Sequence, residues 1–207
     1  MSFELTQSEG EYLVRLARES IEAKLGGRDH PDTSDAPAKM RTPCGVFVTL
    51  NKLTGNAHRL RGCIGFPYPV MPLVEAVKDA AVNAALKDPR FDAVTSREMG
   101  SIVVEVSVLT PPDVIEVVRP DEYPAQVVIG RDGLIVSRGS NRGLLLPQVP
   151  VEWGWDAEEF LTQCCLKAWL LPDAWLTPGT EVSRFRAIIY AEEEPRGAVR
   201  RVELEGS

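Results

Sequence analysis

The residues best suited to chemistry lie in the short stretch Leu60–Gly65, which brings together an arginine, a thiol and two glycines. Side chains alternate along a β-strand, so Arg61 and Cys63 are expected on one face, with Cα atoms about 7 Å apart. A guanidinium that close favours the thiolate and would make Cys63 a nucleophile or a redox thiol. Gly62 and Gly65 would let a ligand approach the backbone. The stretch therefore predicts a site in which Arg61 binds an anionic group and Cys63 reacts.

Cys63 also has a plainer interpretation and a sharper one. Most free cysteines behave as small buried apolar side chains, and a structural Cys63 would do no chemistry. The sharper interpretation, a Cys–His dyad, needs a histidine within hydrogen-bond reach. His58 precedes Cys63 by an odd number of residues, which in a regular strand places it on the opposite face and about 16 Å away. His30 lies in a polar loop, so a cysteine hydrolase with a histidine base is disfavoured.

Glu105 and Arg90 are added to the predicted site. Glu105 interrupts an apolar strand pattern, where an unpaired carboxylate is costly. It can serve as a general acid or base, or it can be the buried ion-pair partner of Arg61 or Arg90, and both interpretations stay open. Arg90 belongs to the sequence Asp88-Pro89-Arg90-Phe91, for which a structural interpretation is favoured: a helix stop, an ion pair and an aromatic anchor. Arg90 itself is assigned to substrate binding.

Hydrophobic periodicity and turn residues predict the elements that must position these side chains. A hairpin of strands 46–50 and 58–64 carries Cys63, and strand 102–109 carries Glu105. The other predicted elements are helices after Thr6, after Pro72 and after Asp156, an edge strand 114–118, a hairpin of strands 127–129 and 134–136, and a last strand 185–190. Helices and hairpins follow one another without a βαβ rhythm, which is typical of an α+β fold with antiparallel sheets and packed helices.

Composition and charge exclude several classes of protein. The chain has 207 residues, 44% of them hydrophobic, which suits a globular domain with a real core. Its net charge of -7 argues against a general binder of nucleic acid, because such binding needs clustered Lys and Arg. A local anion pocket remains compatible with that charge. No stretch approaches the roughly 20 apolar residues of a membrane span, so no membrane association is expected.

The cysteines predict free thiols rather than a disulfide framework. The chain has four cysteines, of which Cys164 and Cys165 are adjacent, and their spacing matches no disulfide scaffold. Free thiols indicate the reducing cytoplasm. A zinc site is not supported, because there is no Cys-x-x-Cys pattern and neither histidine is spaced to a cysteine pair. No cofactor is implied.

Several motifs together resemble the AMMECR family. The similarity runs from the first helix to the region around Cys165-Leu166-Lys167-Ala168, which is nearly the whole chain. The Leu60–Gly65 motif is the most specific of them. The others are Gly45–Leu50, Ala84-Ala85 with Asp88–Phe91, Glu105–Leu109 and Leu146-Pro147-Gln148.

The resemblance implies an α+β fold in two lobes and a site around the Leu60–Gly65 motif. It implies a single domain, 1–207, with a larger lobe that contains both chain ends and a smaller inserted lobe. Memo-type and radical-SAM-type proteins are the partners it suggests. This chain departs from the family at one position, because Trp169 follows Ala168 where the family usually has glycine.

Two classes of function follow, and the sequence leaves both open. The first is a cytoplasmic enzyme or enzyme component that uses Cys63 as nucleophile or redox thiol and Arg61 as anion binder in a cleft. Glu105 would be its acid–base partner, and the substrate would be an unidentified small molecule or protein. The rival is a non-catalytic module that binds protein or RNA through the same cleft. A purely structural motif predicts that replacing Cys63 changes stability and nothing else.

Overall fold

Residues 3–55 and 57–203 are described by a computed structural model. In chain order, the helices and strands are α1 (Gln7–Leu25), β1 (Gly45–Thr54), β2 (Ala57–Phe66), α2 (Leu73–Leu86), β3 (Ile102–Leu109), β4 (Asp113–Val114), α3 (Tyr123–Gln126), β5 (Gly133–Arg138), β6 (Asn141–Leu145), α4 (Gln148–Trp153), α5 (Ala157–Lys167), β7 (Glu181–Phe185), β8 (Ala187–Glu192) and β9 (Val199–Val202). The pairings within each sheet are antiparallel, and the α+β class expected from the sequence is confirmed.

The chain divides into two compact units, each with its own sheet and apolar core. The first unit extends to Leu109 and resumes at Ile188–Val202, and the second is chiefly Thr110–Ala187. The first has a five-stranded sheet in the order β2-β1-β3-β8-β9. The second has a four-stranded sheet in the order β4-β7-β5-β6.

Helices α1 and α2 cover one face of the first sheet. The N-terminus of α1 has the predicted capping box, in which the Glu9 amide donates to the Thr6 hydroxyl and the Thr6 amide donates to the Glu9 carboxylate. The buried face of α2 is largely alanine, which lets the helix lie close to the strands. Val46, Val48 and Leu50 of β1 point into this core, so alternate residues of β1 point to the other face.

A buried ion pair joins the first helix to the last strands of the same unit. Arg18 of α1 donates through Nε to the Glu192 carboxylate at 2.6 Å and through Nη1 to the Met99 carbonyl at 3.2 Å. Glu192 accepts a further hydrogen bond from the Val104 amide. Both charged side chains are almost fully buried, so each depends on the other for its compensation.

Two strands predicted in the second unit differ from the structure. Residues 127–129 form no strand, because the Val128 amide donates to the buried carboxylate of Asp132 and the chain turns there instead. Strand β5 therefore makes its hairpin with β6, through a turn with Gly139 at φ 61°. The predicted edge strand 114–118 is reduced to Asp113–Val114, which pairs with β7.

Candidate active site around Cys63

Cys63 lies on the edge strand of the first sheet and is fixed there by side chains. Its amide donates to Oδ2 of Asp88 at 2.8 Å, and its carbonyl accepts from Nη2 of Arg90 at 3.2 Å. Both backbone groups point away from β1, towards the open edge of the sheet, where strands otherwise leave donors and acceptors unpaired. The segment after α2 therefore satisfies the edge of β2 at the position of the thiol.

Thr49 and Glu105 continue the row of side chains that begins at Cys63. Thr49 opposes Cys63 across β1 and β2, and it opposes Glu105 across β1 and β3. Since the backbone groups of Cys63 point away from β1, its pairing with Thr49 is of the non-hydrogen-bonded kind, which holds Cα atoms about 4.5 Å apart. The Thr49 hydroxyl donates to Sγ of Cys63 at 3.4 Å. A thiol, a hydroxyl and a carboxyl thus stand side by side on one face of the sheet.

Glu105 is a half-buried carboxyl, and burial raises its pKa. It forms no ion pair or hydrogen bond with any residue in 3–55 or 57–203. The alternative in which Glu105 neutralises Arg61 or Arg90 is therefore wrong, since both arginines have other partners. A carboxyl with a raised pKa and no cationic partner is suited to proton transfer.

Arg61 is held by Glu98 rather than directed at an open anion site. Its Nε and Nη2 donate to the two carboxylate oxygens of Glu98 at 3.1 and 3.3 Å, and Nη1 donates to the Asp92 carbonyl at 2.8 Å. This pairing, with further hydrogen bonds from Thr95, lowers the pKa of Glu98 to about 2. Only 15% of the Arg61 side chain is exposed. The guanidinium charge is therefore largely neutralised within the protein.

Arg90 is paired in a similar way but is more accessible. Its Nε and Nη2 donate to Asp88, and this arginine, together with the Cys63 amide, holds the pKa of that carboxyl well below its usual range. The Phe91 ring lies 5.6 Å from the Arg90 guanidinium and 5.9 Å from that of Arg61. The Arg90 side chain is 53% exposed, and its Nη1 donates to no residue in the described part of the chain. Arg90 thus retains donors that can face a ligand.

The two glycines of the motif have packing roles. A Cβ at Gly62 would collide with the backbone carbonyl of Ala84 in α2, so a side chain is excluded by the helix. A Cβ at Gly65 would meet the Val46 carbonyl and the ring of Phe47, its cross-strand partner. On the side where each glycine lacks a side chain, other atoms of the protein occupy the space that was expected to admit a ligand. Each glycine is therefore required because a side chain would collide with the protein itself.

The hairpin of β1 and β2 contains a register shift, which changes the face on which His58 lies. Leu50 opposes Gly62 whereas Asn51 opposes Leu60, so Arg61 has no partner on β1 and forms a bulge. His58 opposes Leu53, which shares its face with Thr49 and hence with Cys63. The prediction that His58 lies on the opposite face is therefore wrong. The distance along the strand still separates the two side chains, and both histidines are exposed.

Three residues of this site were not identified from the sequence. Thr49 follows from the register of the hairpin, which the predicted strand bounds 46–50 and 58–64 only approximately define. Glu98 accepts from the amide and hydroxyl of Thr95, three residues earlier, and its pairing with Arg61 has no local signal in the sequence. Asp88 was interpreted as a helix stop. Its interaction with the Cys63 amide depends on a contact between segments that are distant in the sequence.

The four cysteines all lie in the described part of the chain, and they differ sharply in accessibility. Cys44, Cys164 and Cys165 are buried, and Cys63 alone among them is partly exposed. Burial raises the pKa of Cys44 to about 11 and that of Cys164 to about 12. All four are free thiols. Cys63 is therefore the thiol that a reagent or substrate can reach.

Residues 3–55 and 57–203 contain neither a cluster of metal ligands nor a membrane-spanning helix. No group of three or more His, Cys, Asp or Glu side chains is arranged to hold a metal ion there. No helix in these ranges combines the length and apolar character needed to cross a membrane.

Comparison with known proteins identifies the family. The AMMECR1 family model matches residues 14–190. A protein from Thermococcus gammatolerans is 56% identical over 197 residues, covering 94% of this chain and 96% of its own length. Protein PH0010 from Pyrococcus horikoshii is 52% identical over 206 residues and covers 99% of this chain and 100% of its own length. The crystal structure of PH0010 matches 98% of this chain and 100% of its own with a TM-score of 0.79. Because these similarities extend along almost the whole sequence, the chain belongs to the AMMECR1 family.

Proposed function

We propose that the protein is an enzyme, or a component of one, in which Cys63 is the nucleophile or redox thiol. The observation that carries this proposal is the row of Cys63, Thr49 and Glu105 on one face of the sheet. Cys63 is also the accessible thiol among the four. A structural role alone would not require a hydroxyl donor to the sulfur or an unpaired carboxyl one strand further on.

Thr49 and Glu105 have distinct roles in this proposal. The Thr49 hydroxyl donates to Sγ, and such a hydrogen bond stabilises negative charge on sulfur more than it stabilises the neutral thiol. Glu105 acts as general acid and base, because burial moves its pKa upward, towards the pH at which it can both give and accept a proton.

The two arginines are assigned different roles. Arg61 is a positioning residue, since Glu98 and the Asp92 carbonyl occupy its donors and its ring contact with Phe91 fixes the segment beside Cys63. Arg90 is the residue we propose for binding an anionic substrate group, through the exposed Nη1 side of its guanidinium. The anion-binding role that the sequence predicts for Arg61 is therefore assigned to Arg90 in this proposal.

The proposal is tested by the alkylation rate of Cys63. Native protein is treated with iodoacetamide near neutral pH, and the modified residue is identified by mass spectrometry, with the urea-unfolded chain as reference. Cys63 should react first and faster than the same residue in the unfolded chain. Thr49→Val preserves the shape of the side chain and should slow the reaction by about tenfold, because it removes a hydrogen bond to a charged group.

Two controls define the interpretation of this experiment. Cys63→Ser should abolish the fast phase, while Cys44, Cys164 and Cys165 react only on unfolding because they are buried. A native Cys63 that reacts no faster than the unfolded thiol, or is unaffected by Thr49→Val, would show that the site does not activate its sulfur.

A second candidate function is a non-catalytic binding module. It is favoured by the neutralisation of Arg61 by Glu98 and of Arg90 by Asp88, which yields a rigid surface rather than an open cationic pocket. Under this candidate, co-purification with a Memo-type or radical-SAM-type protein survives Cys63→Ser and is lost in Arg90→Ala. Under the enzyme proposal, activity is lost in Cys63→Ser while partner binding persists.

The cytoplasm is the compartment we propose. The support is chemical: the adjacent thiols of Cys164 and Cys165, together with Cys44 and Cys63, are all unoxidised. Free thiols are typical of proteins in reducing compartments.

A further inference from the structure

The second unit exposes a pair of stacked tryptophans. Trp153 ends α4, and its side chain is 70% exposed. Its ring stacks on that of Trp155 with centroids 6.0 Å apart and an interplanar angle of 19°. Trp155 is half-buried and packs against the core of the second unit, so it anchors the pair. Gly154, at φ 65°, makes the turn between them.

Four carboxylates accompany this aromatic pair without any basic residue. All four are exposed, and none forms an ion pair with a residue in 3–55 or 57–203. They are Glu152, Asp156, Glu158 and Glu159. Asp156 caps α5 by accepting from the Glu159 amide, and Glu159 accepts from Gln163, but these neutral donors leave the negative charge in place. The stretch Gln148–Leu166 contains no lysine or arginine.

An exposed aromatic pair, flanked in the sequence by carboxylates that form no ion pair within the described residues, is complementary to a cation with an extended apolar stem. The face of a tryptophan ring attracts an ammonium or guanidinium group, and arginine stacks well on it. Carboxylates around the ring raise the local concentration of positively charged partners and orient their approach. Lysine and arginine side chains combine a cationic head with an apolar stem that can lie along a ring.

We propose that the acidic tryptophan surface, defined as Trp153, Trp155 and the four surrounding carboxylates, is a docking site for a basic peptide segment of a partner protein. An arginine or lysine of the partner lies on the exposed face of Trp153. The carboxylates of Glu152 and Glu158 bind flanking cations. This surface belongs to the second unit and is independent of the role proposed for Cys63.

Trp169 provides a matched contrast within the same unit. Its side chain is 90% exposed, even more than that of Trp153. A basic residue, Lys167, lies two positions before it, and it stacks on no other ring in the described residues. Exposure of a tryptophan alone therefore does not distinguish the two positions, whereas the carboxylates and the stacked partner do.

The test measures binding of a fluorescein-labelled hexa-arginine peptide to the full-length protein by fluorescence anisotropy at low salt. Trp153→Ala should weaken binding by about fivefold, the range expected for loss of one cation–π contact. Glu152→Gln combined with Glu158→Gln should weaken it by about threefold or more and reduce its salt dependence. In NMR spectra, the indole N–H signals of Trp153 and Trp155 should move on titration.

The controls separate this surface from the general acidity of the chain. Trp169→Ala, and Glu116→Gln combined with Glu181→Gln, remove an exposed ring and two exposed carboxylates elsewhere in the same unit. Both controls should leave the affinity unchanged within about twofold, since surface charges outside a contact contribute little. Absence of peptide binding, equal losses in the control and test variants, or movement of the Trp169 signal in place of Trp153 would overturn the proposal. Binding to phosphatidylcholine vesicles that requires Trp153 would also overturn it, in favour of a lipid surface.

Discussion

At the scale of single residues, the site is defined by what each charged group already binds. Arg61 and Arg90 both lie close to Cys63 in sequence or space, yet each is matched by a carboxylate. Glu105 has no cationic partner in residues 3–55 and 57–203, and burial alone raises its pKa. Glu98 and Asp88 therefore hold the arginines in position, and Glu105 is the carboxyl to which we assign the proposed proton transfer.

Glu98 should contribute a measurable pH dependence of stability. Its pKa falls from 4.5 to about 2 on folding, chiefly because Arg61 donates to it. Since the folded value is the lower one, the stabilisation is complete above the unfolded pKa of 4.5 and is lost as the pH falls through about 2. Glu98→Gln should lower the free energy of unfolding near neutral pH by about 2 kcal/mol, because Arg61 loses a charged partner.

Urea unfolding between pH 7 and pH 2 checks this prediction. The difference between wild type and Glu98→Gln should shrink as the pH falls, and Asp88 does not affect the comparison because both proteins retain it. Glu158→Gln, at an exposed carboxylate, is the control and should change stability by less than about 0.5 kcal/mol. A wild-type and variant difference that stays constant with pH would contradict the assigned ion pair.

At the scale of elements, the site depends on how closely β2 lies against α2 and on how its edge is covered. The backbone of Gly62 meets the Ala84 carbonyl, and residues 88–92 supply partners for the outer groups of Cys63 and for Arg61. The strand is thus held on both sides. Its position fixes the direction of the thiol.

Gly62→Ala should be clearly destabilising. The added methyl group collides with backbone, which cannot move aside as a flexible side chain can, and overpacking of this kind costs about 1–3 kcal/mol. Gly100→Ala is the matched control, because a Cβ at Gly100 meets nothing within 4 Å. Chemical denaturation of both variants measures the difference. Equal stabilities would show that β2 and α2 are less closely packed than the structure indicates.

Trp169 should be replaceable by glycine with a gain in stability. It follows α5 in the left-handed conformation at φ 59°, where the amides of Trp169 and Leu170 bond to the carbonyls of Leu166 and Cys165. Glycine adopts this cap conformation without strain, so Trp169→Gly should raise the free energy of unfolding by about 1 kcal/mol. Trp169→Ala keeps a Cβ and should gain less. A loss of stability in Trp169→Gly would show that the exposed ring makes a stabilising contact.

Local signals in the sequence predicted much of this architecture. The helices after Thr6 and Pro72 and the hairpin that carries Cys63 are all present. The bulge at Arg61 was not predictable, because strand alternation assumes a regular ladder and a single extra residue reverses it. The pairing of Arg61 with Glu98 was also missed, since it joins residues that are distant in sequence and has no local pattern. The β-branched side chains of residues 127–129 predict a strand, but the carboxylate of Asp132 accepts from the Val128 amide and a turn forms instead.

At the scale of the whole molecule, the chain builds two cores and carries a different chemical character in each unit. The first unit holds the thiol row of Cys63, Thr49 and Glu105. The second unit holds the acidic tryptophan surface, which includes no reactive group beyond its carboxylates. Relatives more than half identical match the whole chain rather than one unit. Both units therefore belong to the inherited protein.

The discontinuity of the first unit has a consequence for biosynthesis. Its sheet receives β8 and β9 only from Ala187 onward, so β3 has β1 beside it but lacks its second neighbour until those residues have been synthesised. Arg18 likewise emerges long before Glu192, which neutralises it. The main segment of the second unit, Thr110–Ala187, is continuous and can form before the last strands of the first unit have been synthesised. A nascent chain arrested just before Ile188 would leave the β8 side of β3 unpaired and Arg18 without the carboxylate of Glu192, so the first unit cannot complete its sheet or its buried ion pair at that stage.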